Sequence, residues 1–145
     1  MHIAFDIPDD WSAHREDDRV LVQRSTFGTR FEAALVPKGV DPRTRIEANI
    51  GPEFRMQYVQ LIEQLRTKHG WPMKLVTLEI RRDGAWAATR VAAVYEMTQF
   101  LGIAVATLVS EDDRVTLIEI LRTARPVLWP RQPVCIEELW SMEDA

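Results

Sequence analysis

The stretch KLVTLEIRRDGAWAATRVAAVYEMTQFLGIAVATLV, residues 74–109, decides the fold class. Apolar and β-branched residues recur in it at alternate positions, the period that is typical of strands. Asp83-Gly84 is a strong two-residue hairpin signal, and Thr98-Gln99 is a weaker turn. The stretch therefore predicts three successive antiparallel strands: Lys74–Arg82, Ala85–Met97 and Phe100–Val109.

Shorter strand patterns precede this stretch, at Ile3–Ile7, Arg19–Arg24 and Thr29–Val36. Asp41–Gly51 is ambiguous and fits either a short strand or a loop. Pro52–His69 is predicted to be a helix, because apolar residues recur there at helical spacing and Pro52 suits a first helical position. Gly70 is its expected C-terminal cap.

A second helix is predicted over Asp112–Arg125, where Ser110 and the acids after it form a typical helix start. A strand is the alternative for this segment, because Asp112-Asp113 could also turn a hairpin. The element order is then β-β-β-α-β-β-β-α with a C-terminal tail. It predicts an α+β fold, in which an antiparallel sheet of about six strands packs with two main helices. We expect one domain over 1–145, with a core at 3–126 and a partly packed tail at 127–145.

Composition narrows the function classes. The chain has 145 residues, a net charge of −4 and a single cysteine, Cys135. An internal disulfide and a cysteine-based zinc site are therefore excluded, and nucleic acid is a poor candidate partner because basic residues are scattered among acidic ones. Neither a signal peptide nor a membrane span is recognisable. A cytoplasmic location is the expectation.

Three short motifs resemble the PsbP-like superfamily. They are the opening Phe5-Asp6-Ile7-Pro8-Asp9-Asp10-Trp11, the mid-chain Asp83-Gly84-Ala85-Trp86-Ala87-Ala88-Thr89-Arg90, and a strand that ends at Thr107–Ser110 before the last helix. The resemblance implies a mostly non-catalytic protein that binds proteins or small ligands. Its Eag-type members are cytoplasmic chaperones of secreted effectors, which implies a hydrophobic effector segment as partner and is compatible with a homodimer. The tail after Pro126 departs from the family pattern.

Residues that commonly carry chemistry are isolated in this sequence. His2, His14 and His69 are predicted to lie at the terminus, in a polar turn and at a helix end, without metal-ligand spacing. Cys135 lies between two apolar residues, which indicates a buried thiol rather than a nucleophile. Three charged residues inside strands could form a polar site, although cross-strand ion pairs are the preferred interpretation. They are Glu79, Arg90 and Glu96.

One face of the last two strands is more informative. Its residues are mostly apolar, with small side chains in the middle of the strands and bulky ones at the ends. We call it the small-residue face; its members are Trp86, Ala88, Arg90, Ala92 and Val94, then Phe100, Gly102, Ala104, Ala106 and Leu108. The core is expected on the other side of the sheet, at Val76, Leu78 and Ile80, at Val91, Ala93 and Tyr95, and at Ile103 and Val105. Small side chains let another backbone approach closely. The small-residue face is therefore either a docking surface rimmed by Arg90 and Glu96, or a face covered by the chain's own last helix or tail.

Together these observations predict a non-catalytic cytoplasmic binding protein, a chaperone or adaptor that holds an apolar segment of a partner protein on the small-residue face. Trp129 and Trp140 in the tail are further interface candidates. Two alternatives stay open. One is a carrier of a small hydrophobic ligand or lipid, and the other is an enzyme in which Glu79, Arg90 or Glu96 converges with a histidine. No cofactor and no metal are expected.

Overall fold

The molecule is built on a long antiparallel sheet with a short helix on one face. The computed structural model describes residues 2–24, 28–42, 44, 58–82 and 85–127, with the backbone alone for 58–60, 80–82, 85–88, 107 and 108. In chain order the bounded elements are β1 (His2–Ala4), β2 (Ser12–Glu16), β3 (Arg19–Gln23), β4 (Arg30–Pro37), β5 (Tyr58–Arg66), β6 (Pro72–Arg82), β7 (Ala85–Met97), β8 (Phe100–Leu108), a 3-10 turn (Glu111–Asp113), α1 (Arg114–Leu121) and β9 (Arg125–Val127).

Seven strands form one antiparallel sheet in the order β2-β3-β4-β8-β7-β6-β5, and β1 pairs with β9 in a separate two-stranded sheet. The three strands predicted over residues 74–109 are confirmed as β6, β7 and β8, with β7 at its predicted bounds. The turn at Thr98-Gln99 is confirmed because Met97 lies opposite Phe100. Asp83-Gly84 lies outside the described residues, but Arg82 and Ala85 on either side of it are paired.

The predicted helix Pro52–His69 is wrong wherever the structure describes it. Tyr58–Arg66 is the strand β5, which pairs with β6 over nine residues, and residues 52–57 lie outside the described part. Gly70 is not a helix cap. It has a φ of 88° in the tight turn between β5 and β6, where its amide donates to the carbonyl oxygen of Thr67 at 3.0 Å.

The fold class with two main helices on a six-stranded sheet is therefore corrected to a mostly β architecture. The second predicted helix is confirmed in a shorter form, because α1 covers Arg114–Leu121 of the predicted Asp112–Arg125. The strand β2 was not predicted, and it places His14 in a strand rather than in a polar turn. At the N-terminus β1 is shorter than the predicted Ile3–Ile7, whereas β3 and β4 lie close to their predicted positions.

Both faces of the sheet carry buried apolar side chains. We call the side against α1 the helix face; its buried residues include Phe31, Leu75, Val91, Ala93 and Tyr95, which pack with Leu117 and Leu121 of α1. The opposite side is the far face, and its buried residues are Val36, Leu78, Ala92, Ile103 and Val105. Trp11 is buried in the helix-face cluster.

A buried carboxylate joins the start of α1 to the β3–β4 hairpin. Asp113 accepts a short hydrogen bond from Arg24 and a 2.8 Å bond from the hydroxyl of Thr29. The same hydroxyl accepts the backbone amide of Ser110 at 2.8 Å. The bond from Arg24 to Asp113 also raises the pKa of that guanidinium. These bonds connect residues beside β3 and β4 with the start of α1, and they therefore position the helix against the sheet.

Candidate partner-binding site

The register between β7 and β8 divides the small-residue face between the two sides of the sheet. Ala93 lies opposite Ala104, and Val94 lies opposite Ile103. Directly opposed residues point to the same side of a sheet. Ala104 therefore belongs to the helix face, while Val94 belongs to the far face. The assumption that the ten residues share one side is wrong, and so is the predicted core side, which combined residues of both faces.

A signal in the sequence could have prevented this error. A two-residue turn at Thr98-Gln99 requires Met97 to lie opposite Phe100, as observed. Odd-numbered residues of β7 then oppose even-numbered residues of β8. The alternation along each strand is confirmed, and this register places the even-numbered residues of β7 and of β8 on different faces.

Most described members of the small-residue face are buried. Ala92, Ala104 and Ala106 are each about 1% exposed, and Val94, Arg90 and Phe100 are half-buried. The side chains of Trp86, Ala88 and Leu108 lie outside the described part, as do Cys135 and the tail tryptophans. Gly102 is small for a local reason, because a Cβ there would lie 2.9 Å from Cδ2 of Tyr95. The small residues that are described thus accommodate the protein's own core.

The two edges of the sheet differ in character. The edge strand β2 is short and polar, and Nε2 of its His14 lies 3.6 Å from Oε1 of Glu16. Arg19 of the neighbouring strand adds a 3.0 Å ion pair to Glu16. Short strands that carry charge are the usual protection of a sheet edge against pairing with another chain. This edge is therefore poorly suited to receive a partner strand.

The opposite edge, β5, has the reverse character. It is nine residues long and shows no register irregularity against β6. Leu61 lies opposite Thr77 on the helix face and is 55% exposed, and Ile62 lies opposite Val76 on the far face and is 52% exposed. Within the described ranges, β6 is the one strand that pairs with β5. A long, regular edge with exposed apolar side chains on both faces is a site for strand addition.

A groove of about 450 Å³ opens on the far face beside β5. Its described lining is Pro42, Ile62, Gln64, Leu65, Pro72, Met73, Lys74, Val76, Val94, Glu96 and Leu101. Lys74 and Glu96 are exposed, so the groove is mainly apolar with one positive and one negative side chain. Val94, a predicted partner-binding residue, and Glu96, a predicted rim residue, line it.

The three charged residues named for the enzyme alternative do not lie together. Leu78 lies opposite Arg90 and Glu79 lies opposite Thr89, so Glu79 and Arg90 project from different faces. Arg90 and Glu96 share a face but are six residues apart on one strand, a separation of about 20 Å. No group of three metal-binding side chains occurs among the described residues. The same residues include no helix with the length and apolarity to cross a bilayer.

Comparisons with known proteins found a similar fold but no family. No family model matches the chain, and no curated protein matches it. The PsbP-like resemblance therefore stays a prediction. Among similar solved structures is a crystal structure from Bacteroides thetaiotaomicron VPI-5482, with a TM-score of 0.55 and 10% sequence identity. The match covers 98% of this chain and 53% of the solved chain, so the present chain spans about half of that protein.

Proposed function

We propose that this protein is a non-catalytic binding protein that takes up an extended segment of a partner polypeptide along the outer edge of β5. The observation that carries the proposal is the exposure of Leu61 and Ile62 on the two faces of an edge strand. An added strand would form main-chain hydrogen bonds with β5 and cover both side chains. A chaperone or adaptor role in the cytoplasm is the finer form of the same proposal.

The groove beside β5 supports selectivity for an apolar segment. A strand added to β5 presents alternate side chains to the far face, where Ile62 and Val76 line the groove. Apolar burial there would stabilise the complex by about 25 cal/mol per Å², less the cost of ordering the segment. Lys74 and Glu96 would favour segments with complementary charges.

The groove also favours a second candidate, a carrier of a small hydrophobic ligand. Its volume of about 450 Å³ lies within the range of about 300–1,000 Å³ that is usual for ligand sites. This alternative places binding in the groove alone and gives Leu61, on the other face, no part in it. Replacement of Leu61 therefore separates the two candidates.

Fluorescence anisotropy with a labelled peptide tests the strand-addition proposal. The probe is the peptide YVQLIEQLR, a copy of residues 58–66, and its control is the same peptide with proline at the central isoleucine, which removes a backbone donor. We expect the first peptide to bind and the second to bind at least about tenfold more weakly, a loss of about 1.4 kcal/mol.

Matched variants locate the binding site. Leu61→Lys should weaken binding of the peptide, whereas Ala13→Lys places the same charge on the other edge strand, where Ala13 is exposed, and should leave binding unchanged. Equal binding of the peptide by the wild type, Leu61→Lys and Ala13→Lys would refute strand addition at β5. If Ile62→Lys abolished binding of the peptide and Leu61→Lys did not, binding would be confined to the groove, which would favour the ligand carrier.

A further inference from the structure

We infer that the segment taken up by β5 is the β5 strand of a second copy of this chain, paired antiparallel around a two-fold axis at Ile62. The inference rests on the proposed strand addition and names its occupant. A homodimer formed in this way joins two seven-stranded sheets edge to edge. It needs no segment beyond the described strands.

Symmetry restricts the register of such a pair. Two antiparallel strands related by a two-fold axis perpendicular to the sheet must place one residue opposite its own copy. Ile62 is the midpoint of Tyr58–Arg66, so an axis at Ile62 overlaps all nine residues. Axes at Leu61 or Glu63 overlap seven residues, and the axis at Glu63 also places two carboxylates directly opposite each other, which is destabilising.

The register centred on Ile62 matches several residues of β5 with similar residues of the second copy. Gln60 stands opposite Gln64 of the other copy, and Val59 stands opposite Leu65, because each pair is equidistant from the centre. Leu61 stands opposite Glu63. Tyr58 stands opposite Arg66. This register therefore pairs apolar with apolar residues at Val59–Leu65, pairs the two glutamines, and opposes no two like charges, which favours cross-strand pairing.

The surrounding structure supports a closed dimer. Pairing at Ile62 covers the outer edge of β5, and it brings the far-face grooves of the two copies to either side of the axis, since Ile62 lines each groove. The remaining edge, β2, contains Arg15 and Glu16, and Glu16 forms an ion pair with Arg19 of β3. Its charge opposes a third copy, so association stops at two chains.

Cysteine cross-linking tests the register in the full chain. In a Cys135→Ser background, which removes the one native cysteine, Ile62→Cys places two thiols opposite each other with Cα atoms about 4.5–5.5 Å apart. That separation permits a disulfide, so oxidation should yield a covalent dimer. Leu61→Cys is the matched control, because the two copies of residue 61 would lie about 8 Å apart and should not cross-link.

Sedimentation equilibrium provides an independent measurement without new cysteines. We expect the wild-type chain to form dimers, and Ile62→Lys to raise the dimer dissociation constant at least about tenfold with an unchanged circular dichroism spectrum. Ala13→Lys should sediment as the wild type does. Dissociation of the dimer by the peptide YVQLIEQLR would support the same interface.

The outcomes separate the two levels of the proposal. A monomeric wild type that still binds the peptide at β5 would overturn the second-copy inference and leave strand addition intact. A monomer that binds no peptide would overturn both. A dimer in which Leu61→Cys cross-links and Ile62→Cys does not would overturn the register assigned here.

Discussion

The hydroxyl of Tyr95 donates a 2.6 Å hydrogen bond to the backbone carbonyl of Leu121. The bond joins the centre of the sheet, through β7, to the last residue of α1. Tyr95 is fully buried, and burial raises the pKa of its hydroxyl well above 10.0. The phenol is therefore a permanent donor at neutral pH. The contact fixes the helix against the sheet by a directional bond in addition to apolar packing.

Replacement of Tyr95 by Phe should lower stability without changing the fold. The ring packing is kept, but the carbonyl of Leu121 loses its 2.6 Å donor in a buried position. The carbonyl keeps a 3.4 Å bond from the amide of Ala124, so loss of the tyrosine bond should cost about 0.5–1.5 kcal/mol. Urea denaturation should show a lower midpoint with an unchanged slope. A midpoint equal to that of the wild type would show that the bond contributes no net stability.

The same residue predicts a loss of stability at alkaline pH. In the unfolded chain a tyrosine ionises near pH 10, whereas the folded pKa of Tyr95 is raised by burial. Its contribution to stability is therefore fully present below about pH 10. It falls as the pH rises towards the folded pKa, by up to about 1.4 kcal/mol per pH unit.

The Tyr95→Phe variant isolates this contribution from those of other groups that titrate at high pH. Unfolding free energies of both proteins should be measured in urea between roughly pH 8 and pH 11. We expect the difference between them to narrow above about pH 10. Parallel curves over the whole range would contradict the assignment to Tyr95.

Any side chain added at Gly102 should lower the stability of the protein. An added Cβ would lie 2.9 Å from Cδ2 of Tyr95 and 3.1 Å from Cδ1 of Ile3. Crowding of this kind in a packed core costs about 1–3 kcal/mol, so Gly102→Ala should lower the melting temperature. Ile3→Val, combined with Gly102→Ala in one protein, removes the Cδ1 atom of Ile3 and should recover part of the lost stability. A melting temperature unchanged by Gly102→Ala would refute the close contact with Tyr95.

Two adjacent acids should differ sharply in their effect on stability. Asp113 is buried and accepts the hydroxyl of Thr29 at 2.8 Å, so Asp113→Ala should cost about 1–3 kcal/mol. Asp112 is exposed in the same 3-10 turn, and Asp112→Ala should stay within about 0.5 kcal/mol of the wild type. Thermal unfolding of the two variants tests this difference. Equal losses of stability would show that the buried position of Asp113 contributes nothing.

The failed helix prediction has a physical explanation. Tyr58, Leu61, Ile62 and Leu65 match a helical stripe, but in β5 the same spacing puts Leu61 and Ile62 on opposite faces of an edge strand. A strand that is apolar on both faces lacks the alternation that identifies strands from sequence. Pairing with β6 over nine residues outweighs the local preference. The same limitation hid β2, because its residues SAHRE are largely polar on both faces.

Local chemistry determined part of this fold from the sequence alone. Alternation and the turn at Thr98-Gln99 predicted β6, β7 and β8, and the acidic start of the 3-10 turn predicted α1, because these signals depend on neighbours in the chain. Only the tertiary structure decided which strands form the edges. It also decided that Ala92 and Ala104 lie on different faces of the sheet. Strand order and register arise from pairing between residues far apart in sequence, and the candidate site at β5 exists because that pairing leaves this strand last among the described strands of the sheet.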